Sequence, residues 1–243
     1  MRGIVRPTMT PELRLDFCSH EAARFACRRW HYSRKIPVGK LVKVGVWEGG
    51  KFIGVILFGD GLLGPKPTVY GGVDKFKVAE IVRIALREHV HAVSRMISIA
   101  IKLLRKRCPG IDLIVAFADQ GENHHGGVYQ ASNFVYTGES EPGRMFRHKA
   151  TGRVLHNRAV SANGYRSHFG HVRKVPRTDE CEIIGRTKKH RYLLPLTSEM
   201  KTLAAKLSKP YPKRAASVDS DTPADQAGEG GARPTAALQH TTG

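Results

Sequence analysis

The stretch IDLIVAFADQGENHHGGVYQASNFVYT, residues 111–137, decides the fold of this sequence. It opens with a short apolar run at residues 111–118, whose sharp boundaries predict a buried strand. The run stops at Asp119, a carboxylate placed where a central strand would end. Because ligands collect at the carboxyl ends of strands in α/β sheets, this position predicts the centre of a catalytic site.

The second half of the stretch supplies further candidate groups. A polar, glycine-rich loop contains His124 and His125, which we interpret as loop residues and not as metal ligands. Residues 128–133 have helical character and include Tyr129, and residues 134–136 predict the next strand. Tyr129 is therefore a second candidate for the site, beside its alternative role as a packing residue.

The chain is strongly basic. Forty Lys and Arg residues against 21 Asp and Glu give a net charge of +19, with a sequence pI near 10.1. Residues 209–243 carry four basic and four acidic residues, so the whole excess lies in residues 1–208. We predict a single domain over residues 1–208, followed by a disordered, low-complexity tail at residues 209–243. A folded domain of this charge favours double-stranded DNA or another nucleic acid as partner, against a generically basic surface.

The sequence does not indicate a membrane protein, a secreted protein or a zinc-binding or disulfide-linked protein. The sequence contains no apolar run of membrane-spanning length and no secretory h-region, so we predict a cytoplasmic protein. Four scattered cysteines without a CxxC pair favour buried thiols over a zinc site or disulfides.

The rest of the sequence predicts an ordered series of elements after a flexible lead-in at residues 1–12. Residues 20–32 form an amphipathic helix with Phe25 toward the core and Ser19 as a cap. Next we predict a hairpin at 41–47 and 52–58, a strand at 78–86 and a helix at 95–107 capped by Ser94. A second hairpin follows at 145–149 and 153–160, and then a basic helix at 163–174 with His168 and His171. The last predicted elements are a strand at 187–196, whose basic first half contacts phosphates, and a helix at 198–207.

One charged residue interrupts an apolar strand. Arg83 lies within residues 78–86 and needs a partner, because an unpaired buried charge is costly. Two interpretations stay open: a structural ion pair, with Glu80 for example, or a site residue directed at an anion.

This order of elements is similar to the GNAT acyltransferase fold, and GVYQASNFVYTG (127–138) resembles its late helix-strand pattern. The resemblance implies an α+β fold with a GNAT-like central mixed sheet flanked by helices, with additional C-terminal β elements. A closer resemblance is to the phage Mom family, whose members modify adenine in phage DNA. It rests on RWHYS (29–33), GVWEGGKFIGVILFG (45–59), EIVRIAL (80–86), SRMISIAIKLLRK (94–106), VAFAD (115–119) and VYQASNFVYTG (128–138).

The Mom resemblance implies transfer of a carbamoylmethyl group to adenine N6 in duplex DNA, which protects the DNA from restriction in the bacterial host cell. The family's functional positions fall on the following residues: His31, Tyr32, Arg83, Asp119 and Tyr129, with a donor-binding serine at Ser94 or Ser98. Together they would form one composite site. The donor is unidentified, and an acyl-CoA-like molecule is one candidate; an iron ion held by His31, Tyr32 and Asp119 is an alternative element of the chemistry.

The residue types suit this reaction. Asp119 can accept the N6–H, Tyr129 can protonate the leaving group, and Arg83 can hold an anionic donor. The flipped adenine can be received by an aromatic residue such as Trp30 or Tyr32. Two rival functions are an ordinary GNAT acyltransferase acting on a small-molecule or protein amine, and a basic DNA-binding protein without catalytic activity. The oligomeric state is open.

Overall fold

The structure is a computed structural model that describes residues 10–60, 73–168 and 171–213. The described residues form two compact units. The first comprises residues 10–59 and 81–109, and the second comprises residue 60, residues 73–80 and residues 110–213. Each is described below by itself. The predictions for the lead-in at residues 1–12 and for the tail at residues 209–243 fall largely outside the described residues, and the single domain over residues 1–208 stays a prediction.

The first unit contains four strands and two helices. Its strands are β1 (Leu13–Phe17), β2 (Leu41–Glu48), β3 (Lys51–Asp60) and the Ile81–Leu86 part of β4 (Val78–Leu86), in the order β1-β2-β3-β4. β2 pairs antiparallel with both β1 and β3. The predicted hairpin and the strand at residues 78–86 are thus confirmed. β1 was missed although Leu13, Leu15 and Phe17 alternate with polar residues, because a run of five residues is a short signal.

Helix α1 (His20–Trp30) covers this sheet. Its start follows the prediction, because the Ser19 hydroxyl accepts a hydrogen bond from the Ala22 amide at 3.1 Å. The helix buries Ala23, Ala26 and Cys27 in one core cluster with residues of β3 and β4. Phe25 was predicted to face the core, and this is wrong. It is 51% exposed, and its ring packs edge-on against Trp30 instead.

Helix α2 (Val93–Arg107) begins two residues before its predicted start. Ala92 occupies the N-cap position without a side-chain hydrogen bond, and its carbonyl accepts from the amides of Arg95 and Met96. Ser94 therefore lies inside the first turn, so its prediction as the cap is wrong. The buried face of α2 includes Met96, Ile97, Ala100, Ile101 and Leu104, as the 3.6-residue periodicity predicts.

The second unit is built on three antiparallel strands in the order β5-β12-β6: β5 (Leu113–Asp119), β6 (Val135–Glu139) and β12 (Lys189–Pro195). Leu113, Val115 and Leu193 form its core with Val78 and Met200. Helix α4 (Ser198–Leu207) packs against this core and has the bounds that were predicted for it. The Thr197 hydroxyl caps its start. The short helix α3 (Gly127–Gln130) joins β5 to β6 and ends three residues earlier than predicted.

Smaller sheets follow β6. β7 (Gly143–His148) lies between β8 (Val154–His156) and β11 (Cys181–Thr187), and Phe146, Leu155, Val160 and Cys181 form a small core beneath them. The predicted strand at residues 187–196 corresponds to β12, and β11 was missed. These elements confirm the α+β class with additional β structure toward the C-terminus.

The predicted basic helix at residues 163–174 is wrong. The backbone forms two antiparallel strands, β9 (Tyr165–His168) and β10 (His171–Lys174), with His168 opposite His171. The segment lacks apolar residues at helical spacing, so a helix would have no face to bury. Cross-strand pairing satisfies its backbone instead. The HxxH spacing that suits a metal on one helical face therefore does not arise.

Candidate functional site

Asp119 ends β5, as the sequence predicted, and both of its carboxylate oxygens have partners. Oδ1 accepts a hydrogen bond from the Gly121 amide at 3.1 Å, which starts a short 3₁₀ turn. Oδ2 lies 2.9 Å from the ammonium of Lys189, its cross-strand neighbour on β12. A carboxylate offers about four lone-pair sites, so these two contacts leave acceptor capacity for a substrate N–H.

Tyr129 lies in α3 and is 7% exposed. Its ring packs against those of Phe134 and Tyr192, with centroids 5.5 Å away in each case. Tyr192 on β12 holds both ends of α3 in place, because its hydroxyl donates to the His125 carbonyl and accepts from the Gln130 side chain. Gly126 is required at the start of α3, because its φ is +79° and a Cβ there would strike the Tyr192 ring. Tyr129 is thus held in a packed aromatic environment.

The structure adds a polar cluster that the sequence did not reveal. The hydroxyl of Tyr136 on β6 lies 3.2 Å from Nδ1 of His190 on β12. Burial is the main cause that lowers the pKa of His190 below its ordinary value of 6.5, although Glu139 opposes the shift. Burial also raises the pKa of Tyr136. At neutral pH the cluster therefore holds a neutral imidazole beside a phenol, a pair that can transfer a proton.

Glu139 closes the cluster through two hydrogen bonds. Its carboxylate accepts from Gln120 at 2.6 Å and from the Lys188 ammonium at 2.8 Å. The Lys188 bond and then the Gln120 bond lower the pKa of Glu139. Lys188 and Lys189, predicted to contact phosphates, are thus each paired with a carboxylate of their own unit. Only the basic composition of residues 187–191 signalled this region in the sequence.

His31 and Tyr32 follow α1 in the first unit, and their rings stack with centroids 4.2 Å apart. His31 is 8% exposed, whereas Tyr32 is 47% exposed and open to a ligand. The Ser33 amide donates to Nδ1 of His31 at 3.1 Å. Since a backbone N–H can only donate, Nδ1 carries the lone pair, and the proton of the neutral ring resides on Nε2.

This tautomer bears on the predicted iron. Ligation through Nε2 needs the proton on Nδ1, where it would face the Ser33 amide. Within the described ranges no group of three or more His, Cys, Asp or Glu side chains is placed to hold a metal ion. These observations do not support the predicted iron.

Arg83 lies on β4 and is half-buried. Its Nη1 donates to the Val82 carbonyl at 2.6 Å, while its buried Nε has no hydrogen-bond partner among the described residues. Buried donors are rarely left without a partner, so each one needs an explanation. An anion bound by Arg83 would accept a hydrogen bond from this Nε–H. The structure therefore favours the interpretation of Arg83 as a site residue directed at an anion.

The resemblance to the GNAT fold implies that the loop before α2 would hold the pyrophosphate of an acyl-CoA. Here the amides of Val90 and His91 both donate to the carboxylate of Glu48, at 2.8–3.1 Å, and Glu48 is 8% exposed. An internal carboxylate thus already binds these amides and would repel a pyrophosphate. The loop does not fit that group. Ser94 and Ser98 lie one turn apart on α2, half-buried and exposed respectively.

The predicted site residues thus fall into two sets, with Asp119 and Tyr129 in the second unit and the others in the first. No helix of the described chain is long and apolar enough to cross a membrane.

Sequence comparison specifies the class. Residues 12–213 match the Mom protein family, so the chain belongs to that family. It is 30% identical over 212 residues to the methylcarbamoylase mom of Escherichia phage Mu, which covers 83% of this chain and 84% of that protein. The family predicted from the sequence is confirmed, and these findings support a transferase of the DNA-modifying or acyl-transfer type.

Solved structures are more distant. An N-acyl amino acid synthase from uncultured soil microbes has a TM-score of 0.41 and 15% identity, over 83% of this chain and 96% of that one. An acetyltransferase of Bacillus subtilis in complex with CoA has a TM-score of 0.39 and 12% identity, over 76% of this chain and 100% of that one.

Proposed function

We propose that this protein transfers a carbamoylmethyl group to N6 of adenine in duplex DNA. The observation that carries the proposal is the match to the Mom family over residues 12–213, together with the similarity to a methylcarbamoylase over most of both chains. The chain is also strongly basic, as a protein acting on a polyanion needs to be. In a bacterial host the modified adenine would protect DNA from restriction, and the protein would act in the host cytoplasm.

Asp119 is the proposed proton acceptor of the reaction. The adenine N6 lone pair is delocalised into the ring, so the amine is a poor nucleophile and needs an acceptor for its proton. As the new bond forms between N6 and the carbamoylmethyl carbon, that proton passes to the Asp119 carboxylate. Lys189 keeps the carboxylate oriented at 2.9 Å.

The other proposed roles follow the chemistry of each side chain. The leaving group departs with the bonding electrons and takes a proton from Tyr129. Arg83, with its unfilled buried donor, holds an anionic part of the donor molecule. Tyr32, which is 47% exposed and stacked on His31, receives the flipped base. Ser94 and Ser98, at i and i+4 of one helix, are the proposed hydroxyl contacts to the donor.

Nucleoside mass spectrometry of host DNA tests the proposal. Cells that express the wild-type protein are expected to contain deoxyadenosine heavier by one carbamoylmethyl group. Asp119→Asn keeps the size of the side chain and should lower this modification about 100-fold or more. Wild-type cells with unmodified deoxyadenosine would refute the function.

Asp112, the residue just before β5, provides a matched control. It forms a similar ion pair with Lys77 at 3.2 Å and is 20% exposed. Asp112→Asn therefore removes an equivalent pair far along the strand from Asp119, and modification should persist. Equal losses in both variants would show that Asp119 has only a structural role. Turnover of acetyl-CoA that ignores DNA would instead favour an ordinary acyltransferase.

A further inference from the structure

The segment from β7 to β10 carries charge of one sign only. Residues 143–174 contain eight Lys and Arg residues and no Asp or Glu, although the whole chain has 21 acidic residues. Four histidines add to this excess when they are protonated. The segment itself contains no carboxylate, and Arg147 forms an ion pair with Glu182 of β11 at 3.0 Å. The remaining positive charge attracts an external polyanion.

Within this segment, β9 and β10 form a ribbon of two strands. In the described chain they pair only with each other, and Tyr165, Val172, Arg173 and Lys174 are all exposed. Tyr165 is 53% and Val172 is 68% exposed, which is high for residues of their size in a sheet. An isolated two-stranded ribbon is marginally stable in water, so this one needs an attachment at its base.

Arg166 provides that attachment. Its Nη2 donates to the carbonyls of Asn157 and Val160 at 2.8 and 2.7 Å, and its Nε donates to Val160 at 3.1 Å. Val160 is 2% exposed and belongs to the small core beneath β7 and β8. The base of the ribbon is thus held by the folded unit, while its strands extend into solvent.

Register determines which side chains share a face of the ribbon. Directly opposed residues of an antiparallel pair point the same way, so Tyr165 and Lys174 lie on one face with Ser167 and Val172. Arg166 and Arg173 are opposed on the other face. One face therefore offers an apolar, a hydroxyl and an aromatic side chain in a basic setting.

We propose that the β9-β10 ribbon binds in the major groove of duplex DNA. A two-stranded ribbon has the width that this groove admits. Lys174 neutralises a phosphate from the same face on which Ser167 and Val172 meet the base edges, where a hydroxyl can pair with any base and an apolar group can contact the thymine methyl. The inference rests on the proposed function for its choice of duplex DNA as partner.

Binding measurements test the ribbon independently of modification. Fluorescence anisotropy of a labelled duplex, recorded over a series of salt concentrations, compares the wild type with Lys174→Ala. We expect the variant to bind at least threefold more weakly and the slope of log K against log salt to fall in magnitude by about one. The control Lys106→Ala removes the same charge from the exposed side of α2 and should bind like the wild type, with an unchanged slope.

A second variant and groove-specific ligands sharpen the result. Val172→Glu puts a carboxylate on an exposed position, so folding should be unaffected while DNA binding weakens. Methyl green, a major-groove ligand, should compete with the protein, and netropsin, a minor-groove ligand, should not. Wild-type affinity in the ribbon variants, which would point to a protein partner, or competition by netropsin alone, would overturn the proposal.

The two proposals can fail separately. If host DNA carries no modified deoxyadenosine but the ribbon variants bind duplex weakly, the proposed chemistry fails and the ribbon inference stands. If modification occurs and the ribbon variants bind and modify DNA like the wild type, the ribbon inference fails alone.

Discussion

The carboxylate of Asp119 lies 2.9 Å from the ammonium of Lys189, the residue directly opposite it in the pairing of β5 with β12. The two side chains are 19% and 36% exposed, so the pair lies at the edge of solvent and a substrate can approach it. Antiparallel register puts the cation beside the proposed proton acceptor. Lys189 therefore acts as a positioning residue for Asp119.

Lys189→Met tests this positioning role. Because the pair is partly exposed, the free energy of unfolding should change by no more than about 1 kcal/mol, whereas modification should fall roughly tenfold. The measurements are urea denaturation and nucleoside mass spectrometry. Lys77→Met, which breaks the comparable pair with Asp112, is the control and should leave modification intact. If both variants lower stability and modification together, a positioning role is excluded.

The Glu48 carboxylate is expected to stabilise the loop before α2. Glu48→Gln retains one oxygen acceptor but loses the charge that strengthens the bonds from Val90 and His91. We expect a loss of about 1–3 kcal/mol in the free energy of unfolding, measured by urea denaturation. Glu88→Gln, at an exposed position nearby in sequence, should change it by less than about 0.5 kcal/mol. Equal effects would contradict the role of the buried carboxylate.

His190 is expected to titrate below 6.5, since burial lowers its pKa. Chemical shifts of the imidazole in NMR spectra over a pH series measure the midpoint, and His190→Asn assigns the signal. Because the folded protein binds this proton more weakly than the unfolded chain, the neutral His190 contributes to the free energy of unfolding. This contribution is fully present above the ordinary pKa of 6.5 and is lost as the pH falls through the lowered pKa. A midpoint above 6.5 would show that Glu139 outweighs burial.

Gly54 on β3 should tolerate no side chain. Its φ is +150°, and a Cβ there would strike the carbonyl oxygen of Ala85 on the neighbouring strand. Gly54→Ala should cost about 3 kcal/mol in the free energy of unfolding, from backbone strain and overpacking together. Gly50→Ala, in the hairpin turn with φ +76° and open space around it, should cost only about 1 kcal/mol. Thermal denaturation of both variants compares these costs, and a larger loss for Gly50→Ala would refute the account.

Local pattern predicted most elements well. The apolar run before Asp119, the Glu48–Lys51 turn and the periodicity of α2 each contain their signal within one segment, and all three were found close to their predicted positions. Weak local signals led to errors. β1 alternates apolar and polar residues over only five positions, and the segment that forms β9 and β10 has few apolar residues, so the strand signal of each is weak.

The residues of the candidate site also differ in whether a local sequence pattern marks them. Asp119 and Tyr129 could be named from the sequence because a strand end and a short helix mark their positions. His190 and Tyr136 could not, since their contact joins residues 54 apart and depends on the order β5-β12-β6. No local pattern encodes which strand inserts between two others.

The family, the α+β class, the basic charge and the carboxylate at the end of β5 could all be predicted from the sequence, because each is a property of composition or of a short segment. Tertiary structure decided the partners of these groups. It placed Lys189 beside Asp119, and it put the Glu48 carboxylate on amides 42 and 43 residues away. Such contacts follow from strand register and chain packing, which bring together residues whose local sequences carry no sign of one another.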